Sequence, residues 1–272
     1  MVANDPESPR PLHILDLPVD DVIVPSIGQY LSPHDIIQLG QCSKEFHEIG
    51  LKMLRNMKVV YKNDQKMNGK WDSEYLKVCR QLRSMSLHSV PNLDNDLLSE
   101  IIRNNLKLEE ISLRRASKIT PTGLLSIVQL KNLTGLRLIK TYCDQYFLNV
   151  LNVCGLKLKY IYLSYDGELS LLFLKRFFRR QPKLEHIGLD FAYDGKETRE
   201  DRMSRLGMNL NPLVSIIAKH CPELKYFVIE RDSQRVGLDA LSLIQKNCKN
   251  IQFIEVNGVL SWGKGQKEIY RS

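Results

Sequence analysis

The sequence lacks any apolar run approaching the roughly 20 residues that a membrane-spanning helix needs, and its N-terminus lacks the apolar stretch of a secretion signal. It also lacks a Gly-rich phosphate loop, a Gly-x-Ser-x-Gly nucleophile elbow and a metalloprotease helix. These absences argue against a membrane protein and against common enzyme classes. We therefore expect a protein that is not an enzyme, binds no cofactor and works in the cytoplasm or the nucleus.

The six cysteines form no Cys-x-x-Cys pair and are spread along the chain. This distribution is typical of small reduced core residues rather than of a disulfide framework. His220-Cys221 could suggest a metal, but no further ligands stand nearby at a suitable spacing. We expect no metal site.

The net charge of +8 is unevenly distributed. Residues 1–50 hold 8 acidic and 2 basic residues, a balance of −6, so the remainder carries +14. A basic second part favours acidic partners, which include nucleic acid and acidic protein surfaces.

An apolar-x-x-apolar-x-apolar pattern recurs along most of the chain. Successive starts from Leu54 lie 25 to 28 residues apart, except for one step of 40. The pattern occurs at Leu54/Met57/Val59, Leu82/Met85/Leu87, Leu108/Ile111/Leu113, Leu133/Leu136/Leu138, Leu158/Ile161/Leu163, Leu184/Ile187/Leu189, Leu224/Phe227/Ile229 and Ile251/Ile254/Val256. Each triplet predicts a short strand, and an amphipathic helical segment follows it. Stacked units of this kind bury a continuous core.

This pattern resembles leucine-rich repeats of the cysteine-containing subtype, in which a cysteine stands three residues before the first strand leucine. Cys79, Cys221 and Cys248 occupy that position. The resemblance implies an α/β solenoid, a horseshoe of short parallel strands and outer helices, over residues 51–258 in about seven to eight units. The long step places an insertion at 190–211, either a solvent loop or part of a binding face. Residues 259–272 would be a C-terminal tail.

Residues 12–50 do not fit the repeat and predict short amphipathic helices, preceded by a disordered lead-in at 1–11. Leu17-Pro18, Leu31-Ser32-Pro33-His34-Asp35-Ile36 and Leu39-Gly40-Gln41-Cys42-Ser43-Lys44-Glu45-Phe46 follow one another in the order seen in an F-box. The segment therefore resembles a small all-helical F-box. Pro25 falls within the expected first F-box helix, where a kink or a restart is expected.

Together the two segments resemble the F-box/leucine-rich-repeat family, whose members are the substrate-recognition subunits of SCF ubiquitin ligases. They imply that the F-box docks on a Skp-type adaptor and through it on a cullin–RING scaffold. The repeats would hold a protein substrate for ubiquitination and proteasomal degradation. The residues expected to pack the F-box and dock on the adaptor are Leu17, Pro18, Ile27, Leu31, Ile36, Leu39 and Phe46.

Residues that alternate with the strand leucines face the concave side of such a horseshoe. Tyr and Arg, which are enriched at interface hot spots, occupy many of these positions. The substrate-binding candidates are Arg114, Arg137, Tyr160, Tyr162, His186, Tyr226 and Glu230.

Two other interpretations remain open from the sequence. The first is a non-ligase interaction scaffold whose N-terminal helices merely cap the solenoid, since terminal repeats need caps. The second, less favoured, is a basic repeat domain that binds nucleic acid through the +14 charge after residue 50.

Overall fold

The computed structural model describes residues 14–62, 73–90, 92–141, 143–164, 171–190, 209–230, 236–256 and 259–263. A π-helical segment, Val19–Ile27, opens the fold. The α-helices are α1 Pro33–Gly40, α2 Lys44–Asn56, α3 Asn95–Asn104, α4 Pro121–Leu124, α5 Gln145–Val153, α6 Leu171–Arg179, α7 Asn211–His220 and α8 Leu238–Asn247. Short 3₁₀ helices lie at Ile14–Asp16, Gly28–Tyr30, Ser73–Lys77 and Leu125–Gln129.

The strands form one sheet in which each strand pairs with its neighbour in sequence. They are β1 Val59–Lys62, β2 Ser84–His88, β3 Glu110–Arg114, β4 Gly135–Ile139, β5 Tyr160–Ser164, β6 His186–Asp190, β7 Tyr226–Glu230, β8 Phe253–Val256 and β9 Val259–Gly263. Strands β1 to β8 are parallel, and β9 returns antiparallel to β8. The expected solenoid of parallel strands and helices is confirmed, and its sheet extends past residue 258 into the expected tail.

The apolar strand residues form two continuous rows because the strands pair without slippage. Met85, Ile111 and Leu136 are partners in one row, and Leu87, Leu113 and Leu138 in the other. All of them are at most 1% exposed. Full burial of such a side chain contributes about 1.5–3 kcal/mol, so the two rows hold the units together.

The first predicted unit is wrong by three residues. Val60, not Met57, pairs with Met85, and Val60 is fully buried while Val59 is 58% exposed. The unit therefore starts at Met57, and the step to Leu82 becomes 25 residues rather than 28.

In several units the side chain three residues before the first apolar residue of the triplet bonds to the preceding unit. Asn105 accepts the N–H of Leu82 at 2.9 Å and donates to the carbonyl of Cys79 at 3.0 Å. Gln181 makes equivalent bonds to Leu158 and Leu156, also in the preceding unit. The Cys248 thiol lies 3.4 Å from the Cys221 carbonyl. Different side chains thus satisfy the same buried backbone groups.

Three strands end in a left-handed residue that is not glycine: Ser89, Arg115 and Lys140, with φ of 49°, 53° and 48°. This conformation turns the residue's N–H toward the following unit. Ser89 donates to the carbonyl of Arg114, and Arg115 to that of Ile139. The ladder bonds offset the cost of the turn, which is of order 1 kcal/mol.

Side-chain hydrogen bonds fix the helix starts, some within one unit and others between neighbouring units. Asp94 and Asp144 accept N–H groups of Leu97 and Phe147, as N-caps do. Thr120 makes no such cap; Asn95 accepts its N–H and donates to its hydroxyl. Asn211 is the first residue of its helix, with Leu210 at the N-cap position.

The N-terminal helices contact one another through α1 and α2. Ser32 and Asp35 form a capping box at α1, and Ser43 caps α2. The helix around Pro25 does not restart there; its backbone is π-helical, with the Pro18 carbonyl accepting the N–H of Ile23 at 3.1 Å. A π-helical winding accommodates a residue that has no N–H to donate.

Helix α2 belongs to both parts of the chain. Its C-terminal end leads into β1, and the Arg55 carbonyl accepts the N–H of Arg80 in the following unit. Ile36, Met53 and Val60 lie in one continuous hydrophobic core with the repeats. The N-terminal helices therefore cover the first repeat with no linker between them.

Within the described ranges, no helix is long and apolar enough to cross a bilayer. Cys79, Cys143, Cys221 and Cys248 are buried as expected. The expectation of core positions is wrong for Cys42, which is exposed, and for Cys154, which is half-buried. The expected lead-in at 1–11 and most of the insertion, 191–208, lie outside the described residues.

Candidate functional site

The seven residues predicted to dock on the adaptor do not share one environment. Ile36 is 1% exposed and lies in the core, so the structure corrects its predicted role in direct docking. It faces inward because α1 packs on α2, where its carbonyl lies beside Gly50. Ile36 therefore stabilises the helices that carry the other residues.

The remaining six are accessible. Pro18 is exposed, and the other five are half-buried apolar side chains that rest against the core. We call these five the N-terminal apolar face: Leu17, Ile27, Leu31, Leu39 and Phe46. Half-buried apolar side chains keep a fixed conformation and still present area to a partner.

A pocket of about 490 Å³ lies between the N-terminal helices and β1. Val24, Leu31 and Met53 line it from the helices, and Val59 lines it from the sheet. Val59 and Tyr61 are each more than half exposed on β1. The sequence missed both as concave residues because the first unit was placed three residues early.

The concave face is the face of the sheet that the helices leave open. Strand pairing arranges its side chains in rows across neighbouring strands. Tyr160, His186 and Tyr226 form one row, and Arg137 and Tyr162 begin the next. The structure thus brings together five of the seven predicted substrate-binding residues.

Arg137 is held in place by two tyrosines. Its Nε donates to the Tyr160 hydroxyl at 2.7 Å, and its Nη2 donates to the same oxygen. The guanidinium carbon lies 5.3 Å from the Tyr160 ring centroid and 5.7 Å from that of Tyr162. These cation–π and hydrogen-bond contacts fix the orientation of the charge.

Tyr162 is the exception among the concave candidates because it is 5% exposed. Its ring occupies the space above Gly188 on the neighbouring strand, where a Cβ would lie 2.1 Å from Tyr162 Cδ2. Burial, followed by the nearby Glu230 carboxylate, raises the pKa of Tyr162 far above its usual value. Tyr162 therefore supports the concave face rather than contacting a partner, which corrects its predicted role.

Aromatic rings extend along the outer row. The His186 ring stacks on Tyr226 at 4.5 Å with an interplanar angle of 15°, and Tyr160 lies 5.7 Å from His186 on the other side. Tyr226 donates its hydroxyl to Gln252 Oε1 at 2.5 Å. The pKa of His186 lies below its usual value, mainly because the ring is buried. The Glu185 carboxylate raises this pKa and the Lys225 ammonium lowers it. The ring is therefore neutral at physiological pH.

The exits of β6 and β7 carry acidic groups. Asp190 is 1% exposed and accepts the Ser164 hydroxyl at 3.2 Å. Its strand partner Glu230 is half-buried and hydrogen-bonded to the Tyr162 phenol. Arg114 lies at the opposite side of the face, at the exit of β3. Its Nε is buried and has no hydrogen-bond partner among the described residues.

Basic residues collect along the edge where helices end and strands begin. Turns 55–58, 77–83, 103–109, 129–134, 153–159, 179–185, 219–225 and 246–252 hold seventeen lysines and arginines against three glutamates. All the repeat helices point the same way, and basic residues are favoured at helix C-termini, so the preference adds up along one edge. None of these turns contains Phe, Trp or Tyr.

The described residues hold no group of three His, Cys, Asp or Glu side chains that could bind a metal ion. The arrangement offers apolar contact at one end, and fixed cations with stacked rings on the sheet. Aromatic and arginine side chains of this kind are enriched in protein interfaces.

No known family model matches the chain. It is similar to a chain in the crystal structure of the Rad7 and Elc1 complex in yeast, with a TM-score of 0.54 and 14% identity. The match covers 83% of this chain but only 63% of that chain, so this chain spans less than two thirds of its relative's length. A leucine-rich-repeat-containing protein, LegL7 from Legionella pneumophila, matches with a TM-score of 0.44 and 13% identity over 83% of this chain and 79% of LegL7. The fold is a leucine-rich-repeat solenoid.

Proposed function

We propose that this protein is the substrate-recognition subunit of an SCF-type ubiquitin ligase. The N-terminal apolar face binds a Skp-type adaptor, which joins a cullin–RING scaffold, and the concave face binds the protein to be ubiquitinated. Catalysis then comes from proximity to a charged conjugating enzyme rather than from a residue of this chain.

The observation that carries the proposal is the N-terminal apolar face itself. Ile36 is buried, as a residue that serves only stability can be. Five apolar residues at positions that resemble the F-box motif are instead only partly buried, and two of them, Leu39 and Phe46, lie on helices fixed by N-caps. The likeness to a chain crystallised within a two-protein complex is in keeping with a protein-binding role.

The capping role of the scaffold alternative and the adaptor role are compatible in this structure. Because Gly28 lies against Met53 and α1 packs on α2, deleting residues 1–50 would expose Met53, which is buried, whatever the function. Aggregation of such a fragment cannot separate the two interpretations. Point substitutions on the N-terminal apolar face can.

The test is co-expression of the full chain with a Skp-type adaptor, followed by affinity capture and size-exclusion chromatography. We expect the wild type to co-elute with the adaptor and the double variant Leu39→Ala/Phe46→Ala to lose it, with helical circular dichroism unchanged. Leu238→Ala is the matched control, since Leu238 is 82% exposed on α8 and should leave co-elution intact. A wild type that never co-elutes, or a double variant that binds like wild type, contradicts the proposal.

The basic edge, formed by the lysines and arginines of the turns between helices and strands, favours nucleic-acid binding as a second function. Its lack of aromatic side chains argues against single strands, which need stacking platforms. Duplex binding through phosphates would weaken steeply with salt. Titration of a labelled duplex at two salt concentrations tests this, and an affinity unaffected by salt would dismiss it.

A further inference from the structure

Cations gather near β3 and β4, beside the Glu110 carboxylate of β3. On these strands and in the turns that follow them lies a group that we call the basic patch: Arg114, Arg115, Lys118, Arg137 and Lys140. No member forms an ion pair with another described residue, whereas the ion pairs of the described chain lie elsewhere, as between Arg83 and Glu109. The acidic Asp190 and Glu230 lie two to four strands away.

Arg114 is incompletely satisfied. A buried donor without an acceptor costs stability, typically more when the group is charged. Its Nε is such a donor, and the side chain itself remains half-exposed, so an oxygen atom brought by a ligand could approach the guanidinium.

Arg137 is pre-oriented. The Tyr160 hydroxyl accepts from Nε and Nη2, which leaves the Nη1 side of the fork for another acceptor. Ordering this side chain is already accomplished in the free protein, which lowers the entropic cost of binding.

The two arginines lie on neighbouring strands. Ser112 is the strand partner of Arg137, and Arg114 follows Ser112 by two residues on the same face. Neighbouring strands are about 4.8 Å apart. The other three cations lie in the adjoining turns, so the charge is spread along the face rather than focused on one point.

We propose that the basic patch binds an acidic segment of a protein partner, with Arg114 and Arg137 each receiving an Asp or Glu carboxylate. Alternate side chains of an extended segment lie roughly 7 Å apart, which suits cations spread over two strands and their turns. Glu110 on the same face would repel a compact dianion such as a phosphate more than single carboxylates. The proposal rests on the proposed partner-binding role of the concave face and not on adaptor docking.

The test measures binding of a fluorescein-labelled peptide that alternates Glu and Ala to the full chain by fluorescence anisotropy. We expect Arg114→Ala and Arg137→Ala each to weaken binding roughly tenfold, as loss of a charged hydrogen bond does. Arg103→Ala, an exposed cation in the last turn of α3, is the matched control and should change binding less than about twofold.

A further variant separates a built site from a diffuse charge. Tyr160→Phe keeps every charge but removes the acceptor that orients Arg137, and should weaken binding about threefold to fivefold. Thermal melts of each variant verify folding.

The inference is overturned if the Glu peptide does not bind, if a Gln-for-Glu peptide binds equally well, or if Arg103→Ala weakens binding as much as Arg114→Ala. Tighter binding of a phosphoserine peptide or of duplex DNA would also overturn it and assign the patch to another class of ligand. Adaptor co-elution of the same arginine variants should match wild type. Peptide binding without adaptor binding would refute the ligase function and leave this inference standing.

Discussion

Asn105 offers a quantitative test of how the solenoid is held together. The change Asn105→Ala removes the acceptor for the Leu82 N–H and the donor to the Cys79 carbonyl, two groups of the preceding unit. Asn105 is 2% exposed, so water does not replace these bonds. Each unpaired buried group costs about 1–3 kcal/mol, and we expect a loss of about 2–5 kcal/mol in the free energy of unfolding.

Asn105→Cys should cost less, because a thiol can still donate to the Cys79 carbonyl as Cys248 contacts the Cys221 carbonyl. Urea unfolding followed by circular dichroism gives the ranking, and amide exchange at Leu82 shows whether its protection is lost. Asn132→Ala, at an exposed turn position of the next unit, is the control and should fall within about 0.5 kcal/mol of wild type. If Asn105→Ala is no more destabilising than Asn132→Ala, or if Leu82 keeps its protection, the role assigned to Asn105 is wrong.

Three other predictions concern the concave face and the cysteines. Gly188→Ala should cost about 1–3 kcal/mol by displacing the Tyr162 ring, seen as a lower midpoint of urea unfolding. Cys42 should react with iodoacetamide in the native protein while Cys221, whose pKa burial raises to about 12, should react only after denaturation, as mass spectrometry would show. Burial lowers the pKa of His186, so as the pH falls below about 6.5 this histidine is protonated in the unfolded chain before it is protonated in the folded protein. The histidine should therefore reduce the free energy of unfolding at those pH values, and His186→Phe should remove that part of the pH dependence of unfolding.

The repeats were predictable from the sequence because burial imposes a period. Each strand must place two apolar residues on the covered face, and each unit repeats that demand at about the same interval. The rows of the concave face follow from the same alternation, which is why Tyr160, His186 and Tyr226 could be placed on one surface.

Other features depend on neighbours that a single unit does not reveal. Asn105 and Gln181 were not predicted because the repeat pattern has cysteine at their position. In the structure this position can be filled by other buried side chains that hydrogen-bond to backbone groups. Tyr162 is buried because the facing residue happens to be Gly188. The first unit was misplaced because Leu54 belongs to a helix shared with the N-terminal segment.

The N-terminal segment, too, was predictable from the sequence only in part. Its motif positions indicated apolar residues without distinguishing those that face the core from those that face outward. Packing of α1 on α2 buries Ile36 and leaves Leu39 and Phe46 half-exposed. Only the accessible positions, Pro18 among them, can contact the proposed adaptor directly.

Hydrogen–deuterium exchange of the full chain, with and without a Skp-type adaptor, shows which part of the protein the adaptor covers. We expect slower exchange in the N-terminal helices, residues 14–56, on adaptor binding, with strands β3 to β7 unchanged and free for a substrate. Protection of those strands by the adaptor, or no protection of the N-terminal helices, would contradict the proposed adaptor binding.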